Sequence, residues 1–432
     1  GPYPDGPAVT RACLACHEDA AHQVMKTVHW TWETHPVQVP GHEEPVRLGK
    51  KNVINNFCIS VQSNWFGCTA CHAGYGWEDD SFDFSQTENV DCLVCHDQSG
   101  TYVKGNGGYP APGVDLAAVA QSVGSPTREN CGGCHFRGGG GDAVKHGDLD
   151  DTLRNPRERV DVHMGKHGMV CIDCHRATDH LIRGRSISVS IDNENRLYCT
   201  DCHAERPHGD ERLDGHTAAV ACQTCHIPQV ALREATKIHW DWSAAGQDLG
   251  DDPHSYLKKK GRFVYQKSLV PEYYWFDGTA GRYLLADRVD TAAPTPLNPP
   301  RGHLADPAAT VWPFKVHRGL QIYDTENRYL LVPKTVGSGG YWEDFDWDKA
   351  ARLGSEATKL PYSGHFGFTS TEMFWPLTHM VTPTDQTLRC HDCHVTSGIM
   401  DWEALGYPGD PSQWGGRSRL RQAGLIASGE LR

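Results

Sequence analysis

Cysteines and histidines recur through the chain in one fixed pattern, and their chemistry is the strongest signal in the sequence. The pattern Cys-x-x-Cys-His occurs eight times and uses 16 of the 17 cysteines, leaving Cys58 outside it. Chance would give about 0.04 such motifs in a chain of this composition. The motif cysteines are Cys13 and Cys16, Cys68 and Cys71, Cys92 and Cys95, Cys131 and Cys134, Cys171 and Cys174, Cys199 and Cys202, Cys222 and Cys225, and Cys390 and Cys393. These eight segments are therefore expected to share one chemistry.

The spacing within each motif suits covalent attachment of haem. Two thiols two residues apart can add to the two vinyl groups of one porphyrin, and the histidine that follows then lies under the iron as an axial ligand. Zinc needs a second pair of ligands and does not require a histidine after every second cysteine, and sixteen committed thiols leave no pairs for disulfides. We therefore predict eight c-type haems. Their predicted proximal ligands are His17, His72, His96, His135, His175, His203, His226 and His394.

The overall composition fits a core made largely of porphyrin. The chain has 432 residues, of which only 38% are hydrophobic, with 45 glycines and 26 prolines. Eight haems leave about 54 residues for each, so the flat apolar rings would supply much of the buried surface. We therefore expect a mainly α-helical fold with much irregular loop, wrapped around a core of eight stacked covalent haems.

Charge and hydropathy disfavour two classes of protein. The net charge of −13 argues against nucleic acid as a partner. No stretch approaches 18 consecutive apolar residues, so no membrane-spanning helix is predicted. Residues 1–4 do not open a charged-then-apolar leader and are interpreted as a trimmed or mature start. Because c-type haem is attached outside the cytoplasm, we expect an exported, periplasmic protein.

The motif spacing divides the chain into four predicted parts. Six motifs lie between residues 68 and 226, one precedes them, and one follows a long gap. Such short spacings predict neighbouring porphyrins close enough for rapid electron transfer. The predicted parts are an N-terminal segment with the first haem (1–60), a six-haem core with the active-site haem (61–226), a haem-free insertion that covers the core (227–389), and a segment with the eighth haem and a surface tail (390–432).

The insertion differs from the haem core in its pattern of residue types. Its aromatic and β-branched runs predict short strands and small hairpins, and one further run predicts a helix. The predicted strands are 261–265, 273–278, 320–324 and 328–332, and the predicted helix is 348–358. Such an insertion can wall a substrate pocket or serve only as a structural flap, and the sequence leaves both interpretations open.

Histidines outside the motifs can supply the second axial ligand of each haem. The first and seventh motifs are each followed by a predicted helix (18–21 and 230–235) and then by His-Trp-x-Trp, which predicts His29 and His239 as distal ligands. Position along the chain adds seven candidates, and His167 competes with one of them, His163. The seven are His146, His163, His180, His208, His216, His317 and His379. Because nine candidates exceed the available positions, some must be packing histidines.

Two residues near the second and fourth motifs stand out. Cys58 lies ten residues before Cys68, so we expect it near the second haem. Four glycines (138–141) follow the fourth motif and would let the backbone approach a porphyrin or a small ligand, and Lys145 comes shortly after them. Without a functional role, Cys58 would be a small buried apolar residue and Lys145 a solvated surface lysine.

These features together resemble the octahaem tetrathionate reductase family. The resemblance rests on the eight motifs, the short second-to-third interval, the run Cys-His-Ala-Gly-Tyr-Gly-Trp at 71–77, the 138–148 stretch and Cys58, and it covers about residues 10–400. It implies a second haem with lysine on its distal side and a cysteine close by. Carried over to this sequence, His72 is proximal, Lys145 is distal and Cys58 is the neighbouring sulfur.

The resemblance also implies a reaction and its partners. Tetrathionate would be reduced to thiosulfate at the second haem, with electrons from a donor cytochrome or a quinol-linked donor. We expect the Cys58 thiolate to attack the S–S bond and a released Lys145 to neutralise the anion, with Arg137 and Lys166 adding to a basic patch. Two alternatives remain open: reduction of nitrite or hydroxylamine at the same haem, and a pure electron conduit without a substrate site.

Overall fold

The structure is a computed structural model that describes residues 2–58, 60–424 and 426. Most motifs lie on a short helix or a single 3-10 turn, such as Thr69–Cys71 and Cys199–Asp201. A helical turn places residues i and i+3 on one face, so both cysteines of a motif point the same way. The α-helices are α1 (Gly6–Leu14), α2 (Ala20–Val24), α3 (Val28–Thr31), α4 (Trp65–Cys68), α5 (Leu93–His96), α6 (Leu116–Gln121), α7 (Arg128–His135), α8 (Cys171–Cys174), α9 (Glu211–His216), α10 (Cys222–His226), α11 (Tyr341–Asp344), α12 (Trp347–Thr358), α13 (Cys390–Cys393) and α14 (Gly416–Gln422).

The insertion forms one large mixed sheet, where the sequence predicted only small hairpins. Eight strands, β5 to β12, join in the order β6-β7-β5-β10-β12-β9, with β8 and β11 also paired to β10, and two small two-stranded sheets lie outside it. The strands are β1 (Pro36–Val37), β2 (Val46–Arg47), β3 (Ala177–Thr178), β4 (Leu181–Ile182), β5 (Thr236–Asp241), β6 (Tyr256–Leu257), β7 (Gly261–Gln266), β8 (Glu272–Phe276), β9 (Thr295–Pro296), β10 (Thr310–Asp324), β11 (Tyr329–Leu330) and β12 (Phe366–Pro376).

The local elements of the insertion were predicted from the sequence, whereas those that depend on pairing with a distant strand were not. The strands at β7 and β8, the β10–β11 hairpin and helix α12 confirm the predicted elements. Strand β12 was missed, although it pairs with β10 over eleven residues. The predicted helix at 230–235 is wrong, because this stretch is irregular and leads into β5, which pairs in parallel with β10. Pairing with a distant strand overrides the local helical pattern.

One face of the sheet builds the central core of the insertion. Trp240, Met373 and Trp375 pack there with Phe57 and Val144, which come from the loops before the second motif and after the fourth. The sheet therefore holds these two loops, and with them Cys58 and Lys145, against a fixed surface.

The C-terminal segment is anchored and does not only cover the surface as predicted. Arg417 on α14 is 6% exposed and donates hydrogen bonds to the carbonyl oxygens of Leu304 and Ala309. Residues 425 and 427–432 of the predicted tail lie outside the described residues. In the described part of the chain, no helix has the length and apolar character to cross a membrane.

Candidate haem sites and a buried lysine cluster

The motif sulfurs form a continuous row through the molecule. Thiols hydrogen-bond between motifs one and three, two and four, four and five, and six and seven. Electrostatic contacts join three with four, five with six, and seven with eight. None of the sixteen motif cysteines is in a disulfide. The attachment sites therefore follow the order one, three, four, five, six, seven, eight, and motif two adjoins motif four rather than its neighbour in sequence.

Six motif histidines each face a second histidine across a gap of constant width. Two imidazole nitrogens bound at about 2 Å on opposite sides of one iron would put their ring centroids about 6 Å apart. The observed centroid separations are 6.1 Å for His135 and His29, 6.4 Å for His96 and His180, 6.0 Å for His203 and His163, 6.2 Å for His175 and His379, 6.3 Å for His226 and His208, and 6.2 Å for His394 and His216. These gaps fit one iron between each pair.

Hydrogen bonds to the other ring nitrogen orient many of these imidazoles. The Nδ1 atom of His96 lies 2.9 Å from the carbonyl oxygen of Gly124, and that of His175 lies 2.8 Å from the carbonyl of Arg183. Such a contact fixes the proton on Nδ1 and leaves Nε2 as the free donor atom for a metal. The side chains are therefore set in the tautomer that haem ligation needs.

The two remaining motif histidines differ from these pairs. His17 is exposed, whereas His72 is fully buried and its Nε2 donates a hydrogen bond to the carbonyl of Trp30 at 2.7 Å. Burial lowers the pKa of His72 to about 3. The aromatic rings that enclose it are Trp30, Trp32, Trp77, Phe82 and Phe84. The predicted proximal role of His72 stays a prediction: in this structure its Nε2 is engaged by Trp30 and its ring is enclosed by aromatic side chains.

Lys145 lies close to this second motif. Its Nζ is 5.2 Å from the ring centroid of Trp375 and 5.8 Å from that of Phe57. Burial and repulsion from Lys50 lower the pKa of Lys145 to about 8, and an attractive contact with Cys71 partly opposes this. An amine binds iron only when it is neutral, so this environment favours the form that could act as a ligand.

Lys237 is buried between aromatic rings of the sheet. It is 1% exposed, and its Nζ lies 3.5 Å from the ring centroid of Trp240 and 3.6 Å from that of Phe263. Burial, with repulsion from Lys260, lowers the pKa of Lys237 to about 6. A cation over aromatic faces is stabilised, but removal from water favours the neutral amine.

Lys315 completes a cluster of three lysines with Lys145 and Lys237. It is fully buried, and its Nζ donates hydrogen bonds to the carbonyl oxygens of Val144 at 2.8 Å and Lys145 at 3.2 Å. Burial lowers its pKa to about 7. Lys315 therefore ties strand β10 to the loop that carries Lys145.

Cys58 lies between the second motif and this lysine cluster. Its backbone N–H donates to the Asn55 side-chain oxygen at 2.8 Å, and its side chain packs against the central core. It interacts electrostatically with Cys68, whose pKa rises to about 12 mainly through burial, and with Lys237. The sulfur predicted to neighbour the second haem therefore lies near the second motif and near a buried lysine.

The glycines after the fourth motif allow close contact with the loop before the second. A Cβ on Gly139 would lie 2.4 Å from the Phe57 ring, and one on Gly140 would lie 3.2 Å from the Phe57 carbonyl oxygen. The same loop borders a cavity of about 340 Å³ that also touches Lys237 and Lys260. This cavity connects the buried cluster with the surface around β7.

Comparisons with known proteins agree with the haem geometry. Residues 157–227 match the family described as cytochrome c7 and related cytochrome c, and residues 237–397 match the family described as bacterial cytochrome c. The crystal structure of an octahaem cytochrome c from Shewanella oneidensis is 47% identical, covers 96% of both chains and superimposes with a TM-score of 0.90. This chain is a multihaem c-type cytochrome.

A more distant relative of this cytochrome comes from Archaeoglobus fulgidus and is described as an uncharacterized protein. It is 25% identical over 222 residues, which span 40% of this chain and 74% of that protein. The two family matches and the Shewanella structure support covalently bound c-type haems here.

Three predicted distal ligands of the cytochrome lie outside the six facing histidine pairs, although one of them, His146, interacts electrostatically with His135. His239 is on β5, where it pairs with Arg318 of β10, so the His-Trp-x-Trp repeat does not mark equivalent positions. His146 packs on Trp375 at 4.6 Å between ring centroids. His317 is fully buried and donates from Nδ1 to the side-chain oxygen of Asn56 at 3.0 Å. His146 and His317 belong to the surroundings of the lysine cluster.

The basic patch of the cytochrome also differs from expectation. Arg137 and Lys166 are exposed and pair with Asp151 at 2.7 Å and Glu158 at 2.8 Å. The lysines that interact electrostatically with Cys71 of the second motif are Lys50, Lys104 and Lys145. Lys237 and Lys315, which cluster with Lys145, were not predicted from the sequence. One signal was present: residues 314–317 alternate apolar and ionisable side chains within a strand of aromatic and β-branched residues. Ionisable residues are rare in a strand whose other side chains are expected to be buried, unless they belong to a functional site.

Proposed function

We propose that this cytochrome is a periplasmic reductase with eight covalent haems that converts tetrathionate into thiosulfate. The observation that carries the proposal is the position of Cys58, which interacts electrostatically with both Cys68 of the second motif and the buried Lys237. This position would bring together a sulfur nucleophile, a haem attachment site and a buried lysine that an anionic substrate could protonate. The eight motifs support the haem count, and six facing histidine pairs support bis-histidine ligation at the motifs that carry them.

The second haem would be held by Cys68, Cys71 and Lys145. Lys145 would offer its neutral amine to the iron, and His72 would take part if its Nε2 left the carbonyl oxygen of Trp30. Bound haem supplies electrons one at a time. The six histidine pairs hold the haems of motifs three to eight in the same proposal.

The lysine cluster would bind the anionic substrate. The pKa of Lys237 is lowered to about 6 and that of Lys315 to about 7, chiefly by burial, so both side chains are largely uncharged while the site is empty. An arriving dianion favours protonation of both amines and gains two charge-assisted contacts. With a net charge of −13 on the whole chain, such local cations are needed to attract an anion. The cavity beside Lys237 offers the route inward.

The reaction balances without protons. The Cys58 thiolate attacks one sulfur of the central S–S bond of tetrathionate, releases one thiosulfate and forms a mixed disulfide with the other half. Two electrons then cleave that bond, release the second thiosulfate and restore the thiolate. Lys237, which interacts electrostatically with Cys58, favours the thiolate form when it is protonated.

Reduction of nitrite or hydroxylamine is the weaker alternative. It consumes protons, which neighbouring acids must supply. Burial holds the pKa values of His146 and His317 well below the usual range, so both are neutral imidazoles and poor proton donors. A pure conduit would leave three buried lysines beside one attachment site without a role.

Turnover with defined electron acceptors tests the proposal. The holoprotein is supplied with reduced viologen and assayed with tetrathionate, nitrite and hydroxylamine in parallel. The proposal predicts fastest turnover with tetrathionate and two thiosulfates formed per tetrathionate. A protein that reduces nitrite but leaves tetrathionate untouched would contradict it.

A further inference from the structure

Three imidazoles in the six histidine pairs differ from the rest in what their Nδ1 atoms contact. The Nδ1 of His394 lies 2.7 Å from the Asp410 carboxylate, and that of His208 lies 3.0 Å from Asp214. The Nδ1 of His379 lies 3.2 Å from Asp148 and equally far from the Thr378 hydroxyl. Other members of the pairs contact neutral oxygens, which are Gly124 O for His96, Gln23 Oε1 for His180, Arg183 O for His175 and Arg212 O for His216.

The nature of this partner changes what the imidazole does to a bound iron. A carboxylate that accepts the Nδ1 proton draws it away from the ring and makes Nε2 a stronger electron donor. A stronger donor and a nearby negative charge both stabilise ferric iron over ferrous iron. Hydrogen bonding around axial ligands is one of the ways in which proteins set haem reduction potentials.

We propose that Asp148, Asp214 and Asp410 are positioning residues that lower the reduction potentials of the haems at motifs five, seven and eight. The haem at motif three, whose two imidazoles contact neutral oxygens, is then of higher potential than these. The proposal rests on the histidine pairs proposed above and not on the identity of the substrate.

Contact distance and neighbouring charge predict how strongly each of the three carboxylates lowers a haem reduction potential. Asp410 makes the shortest contact, and its other partner is the backbone N–H of Ser412. Asp214 also lies 3.8 Å from the Arg206 guanidinium, which offsets part of its charge. Asp410 therefore has the largest effect. Motifs seven and eight are neighbours in the row of attachment sites. The haems with the most lowered reduction potentials should therefore lie at the end of the row farthest from motif three.

Asp148 is the most buried of the three but is shared among more partners. It accepts hydrogen bonds from the backbone N–H groups of Thr378 and His379, and the His146 ring lies 3.9 Å away. Removing it would disturb the backbone at 378–379 as well as the ring contact. The test therefore uses Asp410 and Asp214.

The experiment compares two carboxylates near the same motif. Asp392 lies within the eighth motif and accepts a hydrogen bond from the Arg389 backbone N–H, and both Asp392 and Asp410 interact electrostatically with Cys393. The holoprotein, Asp410→Asn and Asp392→Asn are reduced stepwise while haem absorbance is recorded. We expect about one eighth of the absorbance change to move to more positive potential in Asp410→Asn only. Equal shifts in both variants, or none in either, would overturn the proposal.

A second variant keeps the test decisive if Asp410→Asn binds fewer haems. Arg206 is 68% exposed in its side chain, so Arg206→Gln should fold normally. It removes the cation that offsets Asp214, so about one eighth of the absorbance change should move to more negative potential. The low-spin ferric resonance of that haem should shift as well. An unchanged potential, or a positive shift, would overturn the proposal whatever the outcome with tetrathionate.

Discussion

His72 donates a hydrogen bond from Nε2 to the carbonyl oxygen of Trp30, 2.7 Å away, inside a box of aromatic rings. This contact separates the second motif from the six motifs whose histidines face a partner imidazole. While the Nε2 of His72 is engaged in this way, we expect an iron at the second motif to depend on another nitrogen ligand. Lys145, close to Cys71 and held toward its neutral form, is the side chain placed to supply it.

Acidification should detach Lys145 from iron before it affects any histidine pair. Burial lowers the pKa of Lys145 to about 8, so the free amine gains a proton below that value, while iron binding shifts the midpoint further down. Electron paramagnetic resonance of the oxidised protein between pH 9 and pH 5 should show loss of one minority signal, with the bis-histidine signals retained. A spectrum that stays constant over this range contradicts the ligation proposed for the second haem.

Replacement of Cys58 by serine should abolish turnover but leave the haems intact. Serine is close to cysteine in size, and the contact with Asn55 is unaffected because the backbone N–H of residue 58 makes it, but a hydroxyl is a far poorer nucleophile toward an S–S bond. We expect tetrathionate turnover to fall by at least about 100-fold. The intact mass and the visible spectrum should still report eight haems. Full turnover in Cys58→Ser would remove the covalent step.

Replacement of Lys237 by methionine should stabilise the protein while weakening substrate binding. The pKa of Lys237 is about 6 in the folded chain and about 10.4 when exposed, so between these values the unfolded state holds a proton that the folded state lacks. Removing the amine should therefore raise the free energy of unfolding at pH 7 by about 1–2 kcal/mol. The gain should be largest below pH 6 and vanish near pH 10.5.

Denaturant titrations at several pH values measure this gain, and Lys259→Met, at an exposed position, is the matched control. In the same variant, KM for tetrathionate should rise about tenfold or more, because the dianion loses a charge-assisted contact. A destabilised Lys237→Met protein with normal KM would contradict the role of this lysine.

Histidines within and outside the pairs should respond differently to substitution. His180→Ala removes the imidazole that faces His96, so one haem should become high-spin and bind cyanide. His239→Ala should leave the spectrum unchanged, because His239 lies on a strand beside Arg318. A spectral change in His239→Ala with none in His180→Ala would contradict the assigned pairs.

The sequence predicted best those features that depend on neighbouring residues. Each Cys-x-x-Cys-His motif is local, and helix α12 and the β10–β11 hairpin follow from patterns within a few residues. His29 was proposed from its position after the first motif, but the structure sets it against His135 of the fourth. The residue was identifiable, whereas its partner depends on the fold.

Features set by long-range contacts were beyond the sequence patterns. The sheet depends on β10 pairing with β12, about fifty residues later, and on a parallel pairing with β5. The hydrogen bond of His72 depends on Trp30, which lies in a different segment of the chain. Lys237 and Lys315 meet only because β5 and β10 are neighbours, so no local motif marks the cluster.

The most direct test of the account is near-infrared magnetic circular dichroism of the oxidised holoprotein with two lysine variants. We expect the signal of one amine-ligated iron among those of the bis-histidine haems. This signal should be lost in Lys145→Met and retained in Lys50→Met, because Lys50 also lies near the second motif but is not the proposed ligand. Loss of that signal in Lys50→Met alone, or a spectrum without any amine-ligated iron, would contradict the account.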